Sequence, residues 1–308
     1  MIKLLQKNCK FLISGATGFI GSKLCQELLS DGHRIVALTR QKNKISTHEN
    51  LKYINDLNEE NFDYDIVINL AGAPISVYWT QKNQQKIRES RLNITQQIVE
   101  KIMNSETPPK LLISGSAIGF YGTSNSIIFS ENSQPTNQNL FSQQICRDWE
   151  REALKVQNKT RVVLLRTGVV VGEGGGIIKK LTAPFKLGLG GKIGDGKQIM
   201  SWIHLQDVMG ILNLIMNNFS IVGAINLVAP NACSNYEFSQ KLAKKFSRPF
   251  LFHMPKIIAK NLFGKMGEEL VLSSQKIAPH KAIENGYDFK YAHIEEAIDA
   301  LFTSENAL

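Results

Sequence analysis

Residues 11–29, FLISGATGFIGSKLCQELL, contain the pattern that decides the fold. An apolar run ending at Ser14 leads directly into Gly15, Gly18 and Gly21, and an amphipathic, helix-forming stretch follows. The first glycine permits a tight turn, the second lets the backbone approach a pyrophosphate, and the third lets helix and strand pack closely. Amides at the start of the helix then face the phosphates. The stretch therefore predicts the strand, turn and helix that bind a dinucleotide in a Rossmann-type fold.

Further along the chain, apolar runs alternate with polar, helix-prone stretches. Runs that are apolar at every position are typical of strands buried on both faces of a sheet. Their alternation with helices predicts a doubly wound parallel sheet, an α/β fold whose ligands bind where the strands' carboxyl ends meet. The predicted strands are 11–14, 34–39, 65–70, 111–114 and 161–166, with returns to the main sheet at 202–208 and 225–228, and the predicted helices are 19–29, 80–103 and 140–156.

The chain divides into a large and a small predicted domain. We expect a Rossmann domain over residues 1–230, with a glycine-rich lobe inserted at about 172–200. Glycine at this density is typical of loops that cover a site rather than of regular helices or strands. A small C-terminal substrate lobe is expected over 231–308. One face of a predicted helix in that lobe carries apolar residues at helical spacing, namely Ile294, Ala297, Ile298 and Leu301.

The residue after the second strand predicts which dinucleotide is bound. A carboxylate at this position would accept a hydrogen bond from the ribose 2′-hydroxyl of NAD. Here the strand ends at Thr39 and Arg40, and no acidic residue occurs before Glu49. The planar guanidinium of Arg40 is suited to holding a 2′-phosphate. The sequence therefore favours NADP(H) over NAD(H), with a solvated surface arginine as the alternative for this position.

Composition argues against several other classes of protein. The chain has 308 residues and a net charge of +9, but its basic residues are spread along the whole length. It lacks the basic tract that favours nucleic-acid binding. No apolar segment reaches the roughly 18 residues that a membrane span needs. The four cysteines lack the spacing of a zinc site or a disulfide framework. We therefore predict a cytoplasmic protein without a metal site and without membrane or nucleic-acid partners.

Several motifs together resemble the extended and atypical branch of the short-chain dehydrogenase/reductase superfamily, the NAD(P)-dependent epimerase/dehydratase group. The motifs are GATGFIG at 15–21, Asp56-Leu57, Asn69-Leu70-Ala71-Gly72, Ser114-Gly115-Ser116-Ala117 with Phe120-Tyr121-Gly122, the segment from Leu165 to Val170, and the segment from Trp202 to Asp207. The resemblance covers nearly the whole chain. It implies that Asp56 contacts the adenine, that Val170 passes the nicotinamide, and that Ser116 polarises the substrate oxygen.

Four further features resemble one subfamily that carries a C-terminal domain of unknown function. They are Arg147-Asp148-Trp149-Glu150, the glycine-rich stretch 172–191, Ser201-Trp202-Ile203-His204, and the tail from Leu272 to Lys276 with Pro279. This resemblance implies a fold and a cofactor, and it leaves the reaction open. Arg91, on the helix after the Asn69 motif, is interpreted either as a supporting cofactor contact or as a surface charge. The complete set of predicted cofactor-binding residues is Gly15, Thr17, Gly18, Phe19, Ile20, Gly21, Thr39, Arg40, Asp56, Leu70, Ala71, Gly72, Arg91 and Val170.

The catalytic residues that the resemblance implies are only partly present. Members of the superfamily use a Ser, a Tyr and a Lys, and the Lys lowers the pKa of the Tyr phenol. Ser116 takes the Ser position, but Phe141 and Ile145 occupy the Tyr and Lys positions, and neither transfers a proton. Tyr121 is one alternative acid–base group, and hydride transfer without a protein acid is another. Further alternatives lie on the same predicted helix: Cys146, Asp148 and Glu150, the last also interpreted as a surface carboxylate.

These observations lead to two hypotheses of different classes. The first is an NADP(H)-dependent oxidoreductase or epimerase acting on an unknown small polar substrate, with Ser116 and Tyr121 as candidate catalytic residues. The glycine-rich lobe, which is similar to a lid over a substrate, favours this hypothesis. The second is a catalytically silent NADP(H)-binding regulatory or interaction protein, which Phe141 and Ile145 favour. Homodimers are common in the superfamily, but no stretch of the sequence marks a dimer surface.

Overall fold

A computed structural model describes residues 2–42, 44–46, 48–136 and 138–302. The strands in these ranges are β1 (Lys10–Ser14), β2 (Arg34–Leu38), β3 (Leu51–Ile54), β4 (Ile66–Asn69), β5 (Leu111–Ala117), β6 (Ile128–Phe129), β7 (Arg161–Thr167), β8 (Val169–Val171), β9 (Gly191–Ile193), β10 (Ile199–Met200), β11 (Trp202–His204), β12 (Gly223–Leu227), β13 (Cys233–Ser234), β14 (Phe252–Met254) and β15 (Lys276–Ile277). The helices are α1 (Phe19–Ser30), α2 (Gln81–Asn104), α3 (Phe141–Ala153), α4 (Gly176–Lys186), α5 (Leu205–Asn217), α6 (Asn235–Lys245), α7 (Lys256–Leu270), α8 (His280–Glu284) and α9 (Ile294–Leu301).

The central sheet has seven parallel strands in the order β12-β7-β5-β4-β1-β2-β3. The order runs outward from β1 and β4 in both directions, which confirms the predicted doubly wound, Rossmann-type fold. Ser14 pairs with Asn69, and Asn69 pairs with Ser114, so the carboxyl ends of β1, β4 and β5 meet at one edge. Ligands bind at this edge in folds of this type.

Both faces of the sheet are covered by apolar packing. In β1, Phe11 and Ile13 point into the core that α1 and α5 cover. Leu12, between them, points into the opposite core, where Ile98 and Ile102 of α2 pack. Burial on both faces explains why these strands are apolar at every position. This pattern is also the reason that the strands could be predicted from the sequence.

Two differences from the prediction concern the central sheet. The segment 202–208 was expected in the main sheet, but β11 covers only its first three residues and pairs with β8 in a separate two-stranded sheet, and α5 begins at Leu205. The two backbones meet at Gly168, where a Cβ would lie 2.7 Å from the Ser201 carbonyl oxygen, so pairing occurs beyond the end of β7. The other outlier is β3, which was not predicted because its LKYI sequence is only partly buried at the sheet edge. The predicted return at 225–228 is confirmed by β12.

Residues beyond 230 are connected to the Rossmann part by short strand pairs. These pairs join β13 to β10, β14 to β9 and β15 to β6. The predicted apolar face of the last helix is buried on α9, with Ile294, Ala297, Ile298 and Leu301 inside. The division into domains at residue 230 stays a prediction. In the described ranges, no helix is both long enough and apolar enough to cross a membrane.

Candidate functional site at the carboxyl edge of the sheet

The turn between β1 and α1 has a geometry that requires glycine. Gly15 has a φ of +73°, and a Cβ there would lie 2.7 Å from the carbonyl carbon of Leu70. A Cβ on Gly21 would lie 2.2 Å from the carbonyl oxygen of Gly15. The Gly18 amide donates to the same oxygen at 2.9 Å and closes the turn. Since no side chain caps α1, its first amides are free to face an anion.

The glycine-rich segment 172–176 packs directly on this turn. Cβ atoms on Gly172 and Gly175 would lie 2.8 and 2.2 Å from ring atoms of Phe19, so only glycine allows this approach. A cleft of about 560 Å³ lies between the start of α1 and the segment. Its helix-terminal amides and its two lysines favour a phosphate group. The cleft is lined by Thr17, Gly18, Phe19, Ser22, Lys23, Gln26, Glu173, Gly174, Gly175, Lys179 and Leu205.

Arg40 is exposed at the end of β2, beside an ordered turn. The Thr39 hydroxyl accepts a hydrogen bond from the Gln41 amide at 3.1 Å, and Asn55 Nδ2 donates to the Thr39 carbonyl at 2.6 Å. Arg40 itself makes no ion pair with any described residue, so its guanidinium is available to a ligand. Asp56 lies beyond β3, where its carboxylate accepts from the amide two residues on at 2.8 Å and closes a turn.

Arg91 lies against the backbone that follows β4. A Cβ on Gly72 would lie 3.0 Å from its guanidinium carbon. Nη1 donates to the carbonyl oxygens of Ala73 and Ile87, at 3.1 and 3.0 Å, and the guanidinium stacks on Trp149 at 5.3 Å from the ring centroid. The sequence left a surface charge as the alternative. The structure instead places Arg91 partly buried at the sheet edge, next to the Leu70–Gly72 segment.

An apolar cavity of about 520 Å³ lies at the same edge. Ile118, directly after β5, and Val169, at the start of β8, connect it to the strand ends. Among its described lining residues, Lys180 of α4 carries the only titratable side chain, and its Nζ donates to Ser76 Oγ. The volume is within the range of small-molecule sites. The apolar lining comes chiefly from α4, α6 and α7, with Ile177, Leu181, Phe185, Phe238, Phe263 and Met266.

A buried ion pair joins β7 to α3 behind this edge. Arg166 donates to both carboxylate oxygens of Glu150, from Nε at 2.9 Å and from Nη2 at 2.8 Å, and the side chains are 7% and 6% exposed. Ser116 Oγ donates to the same carboxylate at 2.6 Å. Arg166 Nη1 donates to the Tyr121 phenol, which donates to Asn226 Oδ1 at 2.7 Å. The interpretation of Glu150 as a surface carboxylate is therefore wrong, because α3 turns this residue toward β5 and β7.

This network determines where the two candidate catalytic residues lie. Tyr121 is fully buried, and it lines neither the cleft nor the apolar cavity. Burial raises the pKa of its phenol, against the opposing charge of Arg166. An acid–base catalyst needs contact with substrate and a pKa near the working pH, so this placement speaks against the acid–base role predicted for Tyr121. Ser116 is also buried, but it lies two residues before the cavity residue Ile118.

The positions of the expected Tyr and Lys are filled by apolar packing. Phe141 and Ile145 belong to a cluster with Trp79, Ile87 and Met266. The Phe141 and Trp79 rings meet edge to face at 4.8 Å between centroids. Since Ile145 is only 2% exposed, the cluster leaves it no contact with a substrate. The usual proton-transfer pair is thus replaced by a tightly packed part of the core.

The remaining acid–base candidates on α3 are either buried or held in ion pairs. Cys146 is buried, and burial raises the pKa of its thiol to about 11, so it stays protonated at neutral pH. Asp148 forms ion pairs with Arg88 and Arg151, each at 2.5 Å. Neither side chain lines the cleft or the apolar cavity.

Lys180 lines the cavity but was not predicted as a site residue from the sequence. The only signal for it in the sequence was its position in the glycine-rich lobe.

His204 caps α5 rather than facing a cavity. Its Nδ1 accepts the Gln206 amide at 3.2 Å, and its ring packs on Tyr291 at 4.0 Å between centroids. Nε2 is buried without a hydrogen-bond partner among the described residues. Burial therefore lowers the pKa of His204 to about 4, from about 6.5. This is the environment of a structural, neutral histidine.

The His204 environment predicts a pH dependence of stability. Between about pH 6.5 and 4 the unfolded chain binds a proton that folded His204 does not, so its contribution to stability is lost as pH falls. His204→Asn keeps a capping oxygen but cannot titrate. We expect the variant's free energy of unfolding to fall less steeply over this range, by up to about 1.4 kcal/mol per pH unit. Urea unfolding at several pH values measures this, and identical slopes for the two proteins would contradict it.

The residues at this edge fit a bound dinucleotide. The glycine turn leaves no room for side chains where a pyrophosphate approaches, and the cleft beside it holds Lys23 and Lys179. Arg40, just beyond β2, forms no ion pair with a described residue and is available to a further anionic group. A parallel Rossmann sheet with this turn and an adjoining cavity defines a dinucleotide-binding protein.

Comparison with known proteins gives the family. The chain belongs to the NAD dependent epimerase/dehydratase family, whose model matches residues 11–227, and residues 254–301 match a domain of unknown function, DUF1731. The resemblance predicted from the motifs is thereby confirmed. The chloroplastic epimerase family protein SDR39U1 homolog of Arabidopsis thaliana is 38% identical, covering 94% of this chain and 85% of its own. The epimerase family protein YfhF of Bacillus subtilis is 32% identical, covering 96% and 99%.

A solved structure supports the same relationship. The crystal structure of human epimerase family protein SDR39U1, isoform 2, with NADPH superposes with a TM-score of 0.87. It is 30% identical in sequence, and the match covers 95% of this chain and 98% of that one. Fold and family are therefore shared over nearly the full length, including the C-terminal region.

Proposed function

We propose that this protein binds NADP(H) along the carboxyl edge of its sheet and uses it for hydride transfer with a substrate held in the apolar cavity. The position of that cavity carries the proposal. Ile118 and Val169 line it, and they follow directly on β5 and β7, whose carboxyl ends lie at the edge that carries the glycine turn. The human relative solved with NADPH supports the choice of cofactor.

Each part of the cofactor has candidate partners. The turn at Gly15–Gly21 and the lysines of the cleft would hold the pyrophosphate, and Arg40 the 2′-phosphate. Asp56 is proposed near the adenine, while the Leu70–Gly72 backbone, Arg91 and Val170 are proposed along the rest of the molecule. The free guanidinium of Arg40 and the close approach of Gly72 to Arg91 support these assignments.

The chemistry requires a proton as well as a hydride. NADPH supplies a hydride when bound, and reduction of a carbonyl also consumes one proton at oxygen. Among the described lining residues only Lys180 carries a titratable proton, so the proton comes from Lys180 or from water. Ser116 currently directs its hydroxyl hydrogen to Glu150, and it polarises a substrate oxygen only after rotating away.

A second candidate function rests on the apolar cluster at Phe141 and Ile145. Because these residues replace the usual proton-transfer pair, a cofactor-binding protein without turnover fits the same fold. Such a protein would report NADP(H) redox state through a partner. Dimer formation and a cytoplasmic location also stay predictions, and the free, buried state of all four cysteines fits a reducing compartment.

One experiment separates the two candidates. The purified protein is titrated with NADPH, NADP⁺, NADH and NAD⁺, with nucleotide fluorescence and thermal shift as readouts. It is then incubated with NADPH deuterated at C4 and a panel of aldehydes and ketones, and products are examined by mass spectrometry. Deuterium in an alcohol product supports the oxidoreductase. Tight binding without transfer supports the silent protein, and no binding of any dinucleotide contradicts both.

The assignment of the 2′-phosphate site predicts the effect of Arg40→Asp. We expect NADPH affinity to fall about 10- to 100-fold, because a charged hydrogen bond is lost and a repulsive carboxylate is added. NADH affinity should stay the same or rise, since a carboxylate at this position suits a ribose hydroxyl. Arg34→Asp, at the other end of β2, changes the net charge equally and should leave both affinities unchanged. Unchanged selectivity in Arg40→Asp would refute the assignment.

A further inference from the structure

We propose that the apolar cavity takes a substrate with an extended apolar body and one anionic end, and that the anionic end lies at Lys180. The inference names a class of substrate for the proposed hydride transfer. Binding of this ligand can be tested without turnover, and only its role as a substrate rests on the proposed function. It replaces the small polar substrate that the sequence suggested. Three features carry it: the composition of the walls, the state of the polar lining groups, and the position of Lys180.

The walls of the cavity are apolar on several sides. Leu181 and Phe185 of α4 face it from one side, Phe238 of α6 from another, and Phe263 and Met266 of α7 from a third. Within the described lining no carboxylate or histidine occurs. Removing a hydrocarbon chain from water into such a space is favourable in proportion to the apolar area buried.

Several polar side chains in the lining already form hydrogen bonds with the backbone. Ser201 Oγ donates to the Gln275 carbonyl at 2.8 Å and accepts from the Ile277 amide at 2.9 Å. Gln198 Nε2 donates to the Ile193 carbonyl at 3.0 Å. Because most of the lining is apolar and several of its polar groups already bond to the backbone, a polyhydroxylated substrate would regain only part of the hydrogen bonds that it gives up to water.

Within the described lining Lys180, an exposed residue, supplies the one charge. It lies on α4 with its Nζ donating to Ser76 Oγ, and no carboxylate of the described chain pairs with it. A lysine ammonium without a counter-ion attracts a carboxylate or phosphate, and Ser76 holds it on the lining. The cavity thus combines a long apolar surface with a single cationic point, which is the complement of an amphipathic anion.

The test uses homologous ligands of increasing length. Straight-chain alkanoates from butanoate to decanoate, and alkanols of equal length, are titrated by calorimetry below their aggregation concentrations. The titrations are run with and without NADPH. We expect each added methylene to tighten binding roughly fourfold until the cavity is filled, and alkanoates to bind more tightly than alkanols. Affinity that is independent of chain length, or tighter binding of UDP-glucose than of decanoate, would overturn the inference.

Variants on α4, with one control directly after it, locate the two halves of the ligand. Leu181→Gln places a polar group in the cavity and should flatten the dependence on chain length. Leu187→Gln makes the same change at an exposed position outside the cavity and should not. Lys180→Met should abolish the preference for alkanoate over alkanol while keeping the chain-length dependence. Lys186→Met, on the same helix outside the cavity, should keep both.

These measurements are independent of turnover. If alkanoates bind as expected but no deuterium is transferred to any substrate, the proposed hydride transfer fails and the substrate class stands. If a polar carbonyl compound is reduced while alkanoates show no chain-length dependence, the hydride transfer stands and the substrate class is wrong.

Discussion

Arg166→Met is expected to lower the free energy of unfolding by about 3–5 kcal/mol, since it leaves a buried charge without its partner. Glu150 receives two hydrogen bonds from Arg166 and one from Ser116, and both charged side chains are less than a tenth exposed. Methionine matches the length of the lost side chain but provides no donor. The Tyr121 phenol loses a donor as well, so the whole network between β7 and α3 is affected.

Urea unfolding at neutral pH measures this effect, with two comparisons. Arg151→Met removes an exposed arginine that pairs with Asp148 on the same helix, and a surface ion pair of this kind contributes only about 0–1 kcal/mol. The double variant with Arg166→Met and Glu150→Gln removes the unpaired charge and should recover part of the lost stability. A loss below about 1 kcal/mol in Arg166→Met would show that the pair is hydrated rather than buried.

Gly21→Ala is expected to reduce NADPH affinity on the order of 100-fold, equivalent to about 3 kcal/mol. A Cβ at this position would lie 2.2 Å from the Gly15 carbonyl oxygen and 2.9 Å from the Ala16 Cα. Both contacts are with backbone, so α1 has to move away from the turn, and the amides that face the pyrophosphate move with it.

Gly32→Ala is the matched control for this variant. Gly32 follows the same helix with a φ of +82°, and a Cβ there meets nothing within 4 Å. The substitution should cost about 1 kcal/mol of stability through backbone strain and leave NADPH affinity unchanged. Thermal unfolding of both variants then separates a loss of stability from a loss of binding. Gly21→Ala with the affinity of the unchanged protein would mean that the dinucleotide lies elsewhere.

The sequence predicted those parts of the fold whose local pattern follows from burial. Strands buried on both faces are apolar throughout, and the glycine turn needs glycine at fixed positions. Long helices were also predicted closely, as for α2, expected at 80–103 and observed at Gln81–Asn104. The pairing of strands could not be predicted in the same way, because hydrogen bonds between strands depend on the path of the whole chain. For that reason β11 was assigned to the wrong sheet.

The ion pair and the cavity were not predicted, because both form between segments distant in sequence. A signal for the pair was nevertheless present. Glu150 follows the buried Trp149 on α3, and Arg166 comes directly after the apolar run of β7. An acidic residue on a buried helix face and a basic residue within a buried strand favour mutual burial, because each charge needs a partner there. The cavity has no comparable signal, since its walls come from α4, α6 and α7 and from the loop after β5.

The contact between Phe19 and the glycine-rich segment predicts coupling between the two proposed ligands. Residues 172–176 pack against the Phe19 ring and lead directly into α4. Helix α4 contains Lys180 and contributes several residues to the cavity lining. If the proposed ligand fills the cavity and shifts α4, we expect the contact with Phe19 to carry that shift to the glycine turn. Binding at two such sites is reciprocal by thermodynamic linkage: the factor by which the dinucleotide changes the affinity for the cavity ligand equals the factor by which that ligand changes the affinity for the dinucleotide.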